Sequence, residues 1–142
     1  MKKYKIGYTN GVFDLLHVGH LEFLKKAKSC CDYLIVAVCE DQLAYVNKGK
    51  FPICSVEERM MLLKSIKYID KVVIQTTTDR ILEWNKYYFD VLFHGIDGKG
   101  WDIEHGYFEA LSRLGVESVY FERSTNISTS QIINKILEEY RK

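Results

Sequence analysis

The chain has 142 residues, 47% of them apolar and 27% charged, with one proline and nine glycines. That length suits a single hydrophobic core, and the composition excludes disordered, collagen-like and coiled-coil classes. Twenty Lys and Arg against 19 Asp and Glu leave a formal net charge of +1, so no global field draws the protein to nucleic acid or acidic membranes, and any bound anion needs a local site.

In chain order, Tyr4–Thr9 reads as a first strand, followed by a loop containing Gly11. A helix begins near His17 and carries Leu21, Phe23, Leu24 and Ala27. Tyr33–Cys39 is an unbroken apolar run, the pattern of a strand covered on both faces. A short helix over Asp41–Val46 precedes a loop over Asn47–Pro52 that holds Lys48, Gly49 and Lys50. Ser55 with Glu58 three residues later makes a capping box, opening a helix through Met60, Met61, Leu63 and Ile66. A strand at Lys71–Gln75, a helix over Asp79–Tyr88 and a strand at Val91–His94 follow. Ile103–Leu114 reads as one helix ended by Gly115, and Val116–Phe121 as the last strand. Ser128 or Thr129 caps a final helix with Ile132, Ile133, Ile136 and Leu137 as its apolar stripe.

Strands alternating with helices predict an α/β protein: one Rossmann-like domain over residues 1–142, with a five-stranded, mostly parallel sheet and helices on both faces. Ligands of such sheets bind beyond the carboxyl ends of the strands, where strand order reverses. No apolar run approaches the roughly 20 residues of a membrane helix, and Met1–Ile6 lacks the apolar stretch of a secretory leader. The expectation is a cytoplasmic protein with no membrane partner. Cys30, Cys31, Cys39 and Cys54 lack paired C-x-x-C spacing and read as reduced thiols rather than a disulfide scaffold or metal cluster.

The most informative segment is Asn10-Gly11-Val12-Phe13-Asp14-Leu15-Leu16-His17-Val18-Gly19-His20. It joins the first strand to the first helix, where a phosphate loop belongs in this architecture. Gly11 allows backbone to approach a ligand, and His17 and His20, three residues apart, share one face of the first turn. Two structural histidines are the plain reading, and a metal pair would need further ligands that no nearby spacing supplies. The order strand, Gly, Asp, His pair gives weight to phosphate binding.

This segment resembles the G-x-F-D-x-x-H-x-G-H signature of the cytidylyltransferase-like nucleotidyltransferases, and Arg123–Ser130 resembles their R-T-E-G-I-S-T-[ST] motif. The likeness spans the chain and is nearest to the bacterial branch acting on glycerol 3-phosphate. It implies a homodimer that uses CTP with Mg2+ or another divalent cation bound with the nucleotide. The reaction implied is attack by an acceptor phosphate oxygen on the α-phosphorus of CTP, with release of pyrophosphate and a CDP-activated product for surface polymer or headgroup synthesis.

By resemblance, His17, His20, Lys50 and Arg123 are the catalytic residues. Gly11, Val12, Phe13, Asp14, Gly19, His94, Gly95, Asp97, Ser124, Ile127, Ser128, Thr129 and Ser130 are nucleotide-binding. Asp14 would orient the loop or join a metal site, Lys50 would reach the CTP phosphates, and Lys48 and Arg59 are substrate-binding, with Lys48 meeting the incoming phosphate. On Lys-x-Lys alone a solvated basic loop is the simpler reading, and helix capping alone accounts for Ser128–Ser130. Asp41 and Asp70 fall on acidic family positions that a solvated turn explains equally well. The chain departs from the family pattern at Val12, at Ser124-Thr125-Asn126, at Ile96, at Lys67 and in the spacing of Trp101, changes that cluster toward the base and the acceptor. The acceptor implied first is glycerol 3-phosphate. Phosphocholine, phosphoethanolamine, a phospho-sugar, an ATP-dependent adenylyltransferase and a silent nucleotide-binding module are the alternatives. Balanced charge argues against a nucleic-acid partner, and Tyr87-Tyr88-Phe89 reads as a helix end at the core edge.

Overall fold

The computed structural model describes residues 3–123 and 126–141. Five strands, β1 (Tyr4–Gly11), β2 (Cys31–Cys39), β3 (Lys71–Gln75), β4 (Val91–Gly95) and β5 (Glu117–Phe121), form one sheet in the order β3-β2-β1-β4-β5. Every pairing is parallel. Strand order runs outward from β1 in both directions, so the reversal point lies between β1 and β4, the place where such sheets bind ligands.

The β2 run explains the layering. Leu34, Val36 and Val38 enter one core with Phe13, Leu24, Ala27, Val56, Leu63 and Phe93. Ile35 and Ala37 point the other way, to Tyr8, Phe89, Leu92, Leu111 and Val116. Alternation within a fully apolar strand serves both faces at once. Helices α1 (Val18–Ser29) and, after the short α2 (Asp41–Lys48), α3 (Val56–Lys64) cover the first face. On the second lie α4 (Arg80–Tyr87) and, past a 3-10 turn at Ile96–Gly98 and α5 (Lys99–Glu104), α6 (Tyr107–Arg113). The chain closes with α7 (Thr129–Tyr140), which has no buried residue. No helix among the described residues is long and apolar enough to cross a membrane.

Three sequence expectations are corrected. The expected helix over Ile103–Leu114 is two helices, because Gly106 sits at φ +76° and turns the chain between α5 and α6, a left-handed conformation that glycine adopts without strain. Lys48 lies in the last turn of α2, not in a loop, and Ile66 falls beyond the end of α3. The Ser55–Glu58 capping box and the Ser128 cap form as the sequence implies.

Candidate active site

The loop from Val12 to His17 follows β1 and is bent sharply. Phe13 and Leu15 adopt left-handed backbone, at φ 55° and 49°, which costs a non-glycine residue energy unless surroundings hold it. Three anchors do so. Asp14 accepts from the Ile53 and Cys54 amides at 2.7 and 2.9 Å. Thr129 Oγ1 donates to the Asp14 carbonyl at 2.8 Å, tying α7 to the loop. Arg59 Nη1 donates to the Val12 carbonyl at 2.7 Å. Gly11 adds a steric reason for its identity, since a Cβ there would stand 2.9 Å from the Phe13 ring.

At the loop's end the two histidines cap α1. The His17 Nδ1 accepts from the Gly19 amide at 3.0 Å, and His20 Nδ1 accepts from the His17 amide at 3.1 Å. A ring whose Nδ1 accepts must carry its proton on Nε2 when neutral. Both rings therefore keep Nε2–H as their remaining donor, with centroids 3.9 Å apart. Burial, and then the Arg123 guanidinium, hold His17 below its ordinary pKa. Burial and the neighbouring His17 push His20 down to about 4, against an opposing pull from Asp14. Both imidazoles are therefore neutral near pH 7.

Three cavities run side by side across the carboxyl ends of β1 and β4. The first, about 300 Å³, is lined by His17, Gly19, His20, Gly95, Arg123 and the Ile127–Thr129 segment. The second, about 380 Å³, shares His20, Gly95 and Thr129 with it and adds residues 11–14, Lys48, Lys50, His94 and Ser130. The third, about 330 Å³, shares Gly11, Val12, Lys48 and His94 with the second. Shared walls make them one cleft. Its donors come from opposite sides: histidines from α1, lysines from the end of α2 and the loop after it, and Arg123 from the segment after β5. The Ser128 hydroxyl is engaged with the Gln131 amide, and that of Thr129 with Asp14. Those two hydroxyls hold the helix and loop, leaving the Thr129 and Ser130 amides and the Ser130 hydroxyl as donors without a partner among the described residues.

The structure brings most sequence-expected residues to this cleft and leaves two out. Arg59 is 1% exposed, and four of its five N–H groups are engaged: Nε with Cys54 O, Nη1 with Val12 O and Cys39 O, Nη2 with Asp41. It braces the loop from beneath and presents nothing to an incoming phosphate. Asp41 is correspondingly its counterion, and Asp70 pairs with Lys28 at 2.6 Å while accepting from the Leu34 amide. Asp97 is exposed, 3.3 Å from Arg123, and lines none of the three cavities. Ser124 lies outside the described residues. No group of three or more His, Cys, Asp or Glu that could cage a metal occurs among the described residues. Asp14, the one candidate ligand in the loop, has both carboxylate oxygens on backbone amides.

Sequence reasoning missed the floor of the cleft. His94 Nε2 donates to Asn10 Oδ1 at 2.8 Å, and Asn10 Nδ2 donates to Glu83 at 2.6 Å. Glu83 also accepts from Tyr8 and from Arg80, and Arg80 reaches Asp102, which accepts from Tyr120. Burial, with the Arg80 guanidinium adding to it, pushes His94 down to about 4. The network draws on β1, β4, α4, α5 and β5. The only local hint was a charged residue, Arg80 or Glu83, on a helix otherwise packing the core.

Comparison with known proteins adds a family. A family model described as cytidylyltransferase-like matches residues 8–135. The chain is 38% identical to a FAD synthase of Thermococcus sibiricus, covering 98% of this chain and 97% of that one. It is 36% identical to the glycerol-3-phosphate cytidylyltransferase of Bacillus subtilis, over 90% and 94% respectively. Against an ethanolamine-phosphate cytidylyltransferase of Dictyostelium discoideum it is 34% identical over 94% of its length, but spans only 38% of that larger protein. Among solved structures, a lipopolysaccharide core biosynthesis protein from Thermoplasma volcanium superposes with a TM-score of 0.71 at 28% identity, covering 87% of this chain and 99% of that one.

Proposed function

The chain belongs to the cytidylyltransferase-like family and is a nucleotidyltransferase, and on that footing we propose that it transfers CMP from CTP to a small phosphorylated alcohol or polyol, glycerol 3-phosphate first, releasing pyrophosphate. The observation that carries this reading is the histidine pair. Two imidazoles, each fixed through Nδ1 by a backbone amide, keep one N–H donor apiece on the wall of a cleft at a helix N-terminus. Donors held in advance at the place where negative charge develops stabilise a transition state without reorganisation.

In this reading an acceptor phosphate oxygen attacks the α-phosphorus while the bond to the pyrophosphate oxygen breaks. No covalent enzyme intermediate is needed, and the protein contributes position and charge. His17 and His20 donate from Nε2 to non-bridging oxygens, and protonation of either ring becomes easier once a polyanion lies beside it. Lys50 and Arg123 neutralise phosphate charge from opposite walls, Arg123 with a planar fork. Lys48, shared by the second and third cavities, stands where an acceptor phosphate would meet the nucleotide. A divalent cation is proposed to arrive on the triphosphate itself, because the described residues form no protein cage for one; no step is routed through it.

ATP as donor is the second reading, favoured by the similarity to FAD synthases. Pyrophosphate release decides between them. Purified protein with magnesium is given CTP or ATP against glycerol 3-phosphate, phosphocholine, phosphoethanolamine and flavin mononucleotide. Turnover with CTP and glycerol 3-phosphate is expected; turnover with ATP alone would replace the reading. We also propose a homodimer, supported by apolar side chains left exposed on α7, Ile136 at 50% and Leu137 at 41%, and tested by sedimentation velocity.

A further inference from the structure

Arg80 is a buried cation with one nitrogen left over. It opens α4 and is 6% exposed. Its Nε donates to Asp102 at 3.3 Å, and its Nη1 donates to Glu83 at 2.9 Å and lies 3.5 Å from the Thr78 carbonyl. The Trp101 ring covers one face, its centroid 5.0 Å from Cζ. Nη2 has no partner among the described residues, and Arg80 lines the third cavity. Two anchored nitrogens and a covering ring fix the guanidinium plane, so the unpaired N–H groups have a set direction. Ser118 Oγ is the buried side-chain polar atom left without a partner among the described residues, so Arg80 Nη2 is not sealed in the interior but open to that cavity.

The remaining wall says what would satisfy it. Lys48 and Arg80 are the cavity's cations, Asn10, Asn47, Gln75, Thr78 and His94 are among its neutral polar groups, and no carboxylate lines it. Glu83 and Asp102 lie behind the guanidinium, where Arg80, Tyr8, Asn10 and Tyr120 engage their oxygens. An ammonium or trimethylammonium tail would find two cations and no facing counter-charge. A hydroxyl oxygen would find a donor waiting.

Resting on the phosphomonoester reading above, we infer that Arg80 selects the acceptor's tail: Nη2 donates to a hydroxyl oxygen of an uncharged polyol monophosphate whose phosphate lies at Lys48. Arg80 is thus a specificity residue, which acts on the acceptor and not on the nucleotide. Sites built to donate to a hydroxyl discriminate strongly against analogues that lack it.

The test is calorimetric titration of the full chain, saturated with the non-reacting analogue α,β-methylene-CTP, by glycerol 3-phosphate, ribitol 5-phosphate, phosphoethanolamine and phosphocholine. Wild-type protein is expected to bind both polyol phosphates at least about tenfold more tightly than the two amine-bearing ones. Arg80→Lys keeps a charge between Glu83 and Asp102 but loses the fork. It is expected to weaken polyol binding about tenfold or more, to leave the amine-bearing ligands within about twofold and to keep the analogue's affinity, which also reports folding. Should that variant not fold, the wild-type order alone decides. Equal or tighter binding of the amine-bearing ligands, equal losses for all four in Arg80→Lys, or no acceptor binding at all would overturn the inference. Failure of the transferase reading is seen separately, as no pyrophosphate from CTP or ATP with any acceptor.

Discussion

His17 and His20 each use one ring for two purposes, Nδ1 for the fold and Nε2 for the cleft. The two can be separated. Asparagine offers an oxygen that caps a helix about as well as any residue, but it does not reproduce an imidazole N–H at the Nε2 position. His17→Asn is therefore expected to keep its denaturant midpoint while losing about 10²-fold or more in kcat, the scale of removing one charge-stabilising donor. His17→Ala and His20→Ala should show a similar loss of activity together with about 1 kcal/mol of lost cap. Full pyrophosphate release by any of these variants would remove the pair from the chemistry. Arg59 makes the opposite prediction. Arg59→Met strands the carbonyls of Val12, Cys39 and Cys54, and each buried group left unpaired costs about 1–3 kcal/mol. Urea unfolding should show the loss directly, and activity should fall with it although Arg59 lines none of the three cavities of the cleft.

Among the elements, the segments that close the cleft are joined by few bonds. The loop after α2 is tied to the signature loop through the two oxygens of Asp14, and α7 through the hydroxyl of Thr129. Asp14→Asn exchanges one accepting oxygen for an NH2 group and so breaks one of the two amide contacts. Lys48 leads into that loop and Lys50 lies within it, so the expected result is a raised KM for both substrates with little change in global stability, read by steady-state kinetics and thermal melting. Ser55→Ala is the matching control. It removes the capping box of α3, at about 1 kcal/mol, and should leave kcat unchanged, because Ser55 lines none of the three cavities of the cleft.

For the molecule as a whole, the depressed histidines link stability to pH. His20 and His94 titrate near 4 when folded, against about 6.5 unfolded. Between those values the unfolded chain binds protons that the folded chain does not, so the folded state loses stability as pH falls from about 6.5 toward 4 and regains it above 6.5. Chemical unfolding across that window should show the slope, and His20→Gln should flatten it. A triphosphate in the cleft stabilises the charged form of His17 and His20 and works against the same loss. Saturating CTP should therefore raise the melting temperature at every pH, and proportionally more at pH 5.5 than at pH 8, as measured by scanning fluorimetry. A nucleotide at about 100 times its Kd adds about 2.7 kcal/mol by mass action alone.

The alternation of β2, the capping boxes and the Gly-x-Phe-Asp…His-x-x-His run are local patterns, and the order of residues alone determined them: the layered α/β fold, the helix starts and the place of the bent loop between β1 and α1. Asp41, Asp70 and Arg59 could not be read that way, because a charged residue looks the same in sequence whether it faces a ligand, a counterion or water. Only packing decided that Arg59 lies beneath the loop and that Asp97 lies outside the cleft. Gly106 could have stood within a helix, and its positive φ was fixed by how α5 and α6 meet. The Asn10–Glu83–Arg80–Asp102 network joins residues up to 92 positions apart (Asn10 to Asp102). Its charges are tolerable in the interior only because each meets its partner there, and that meeting exists only in three dimensions.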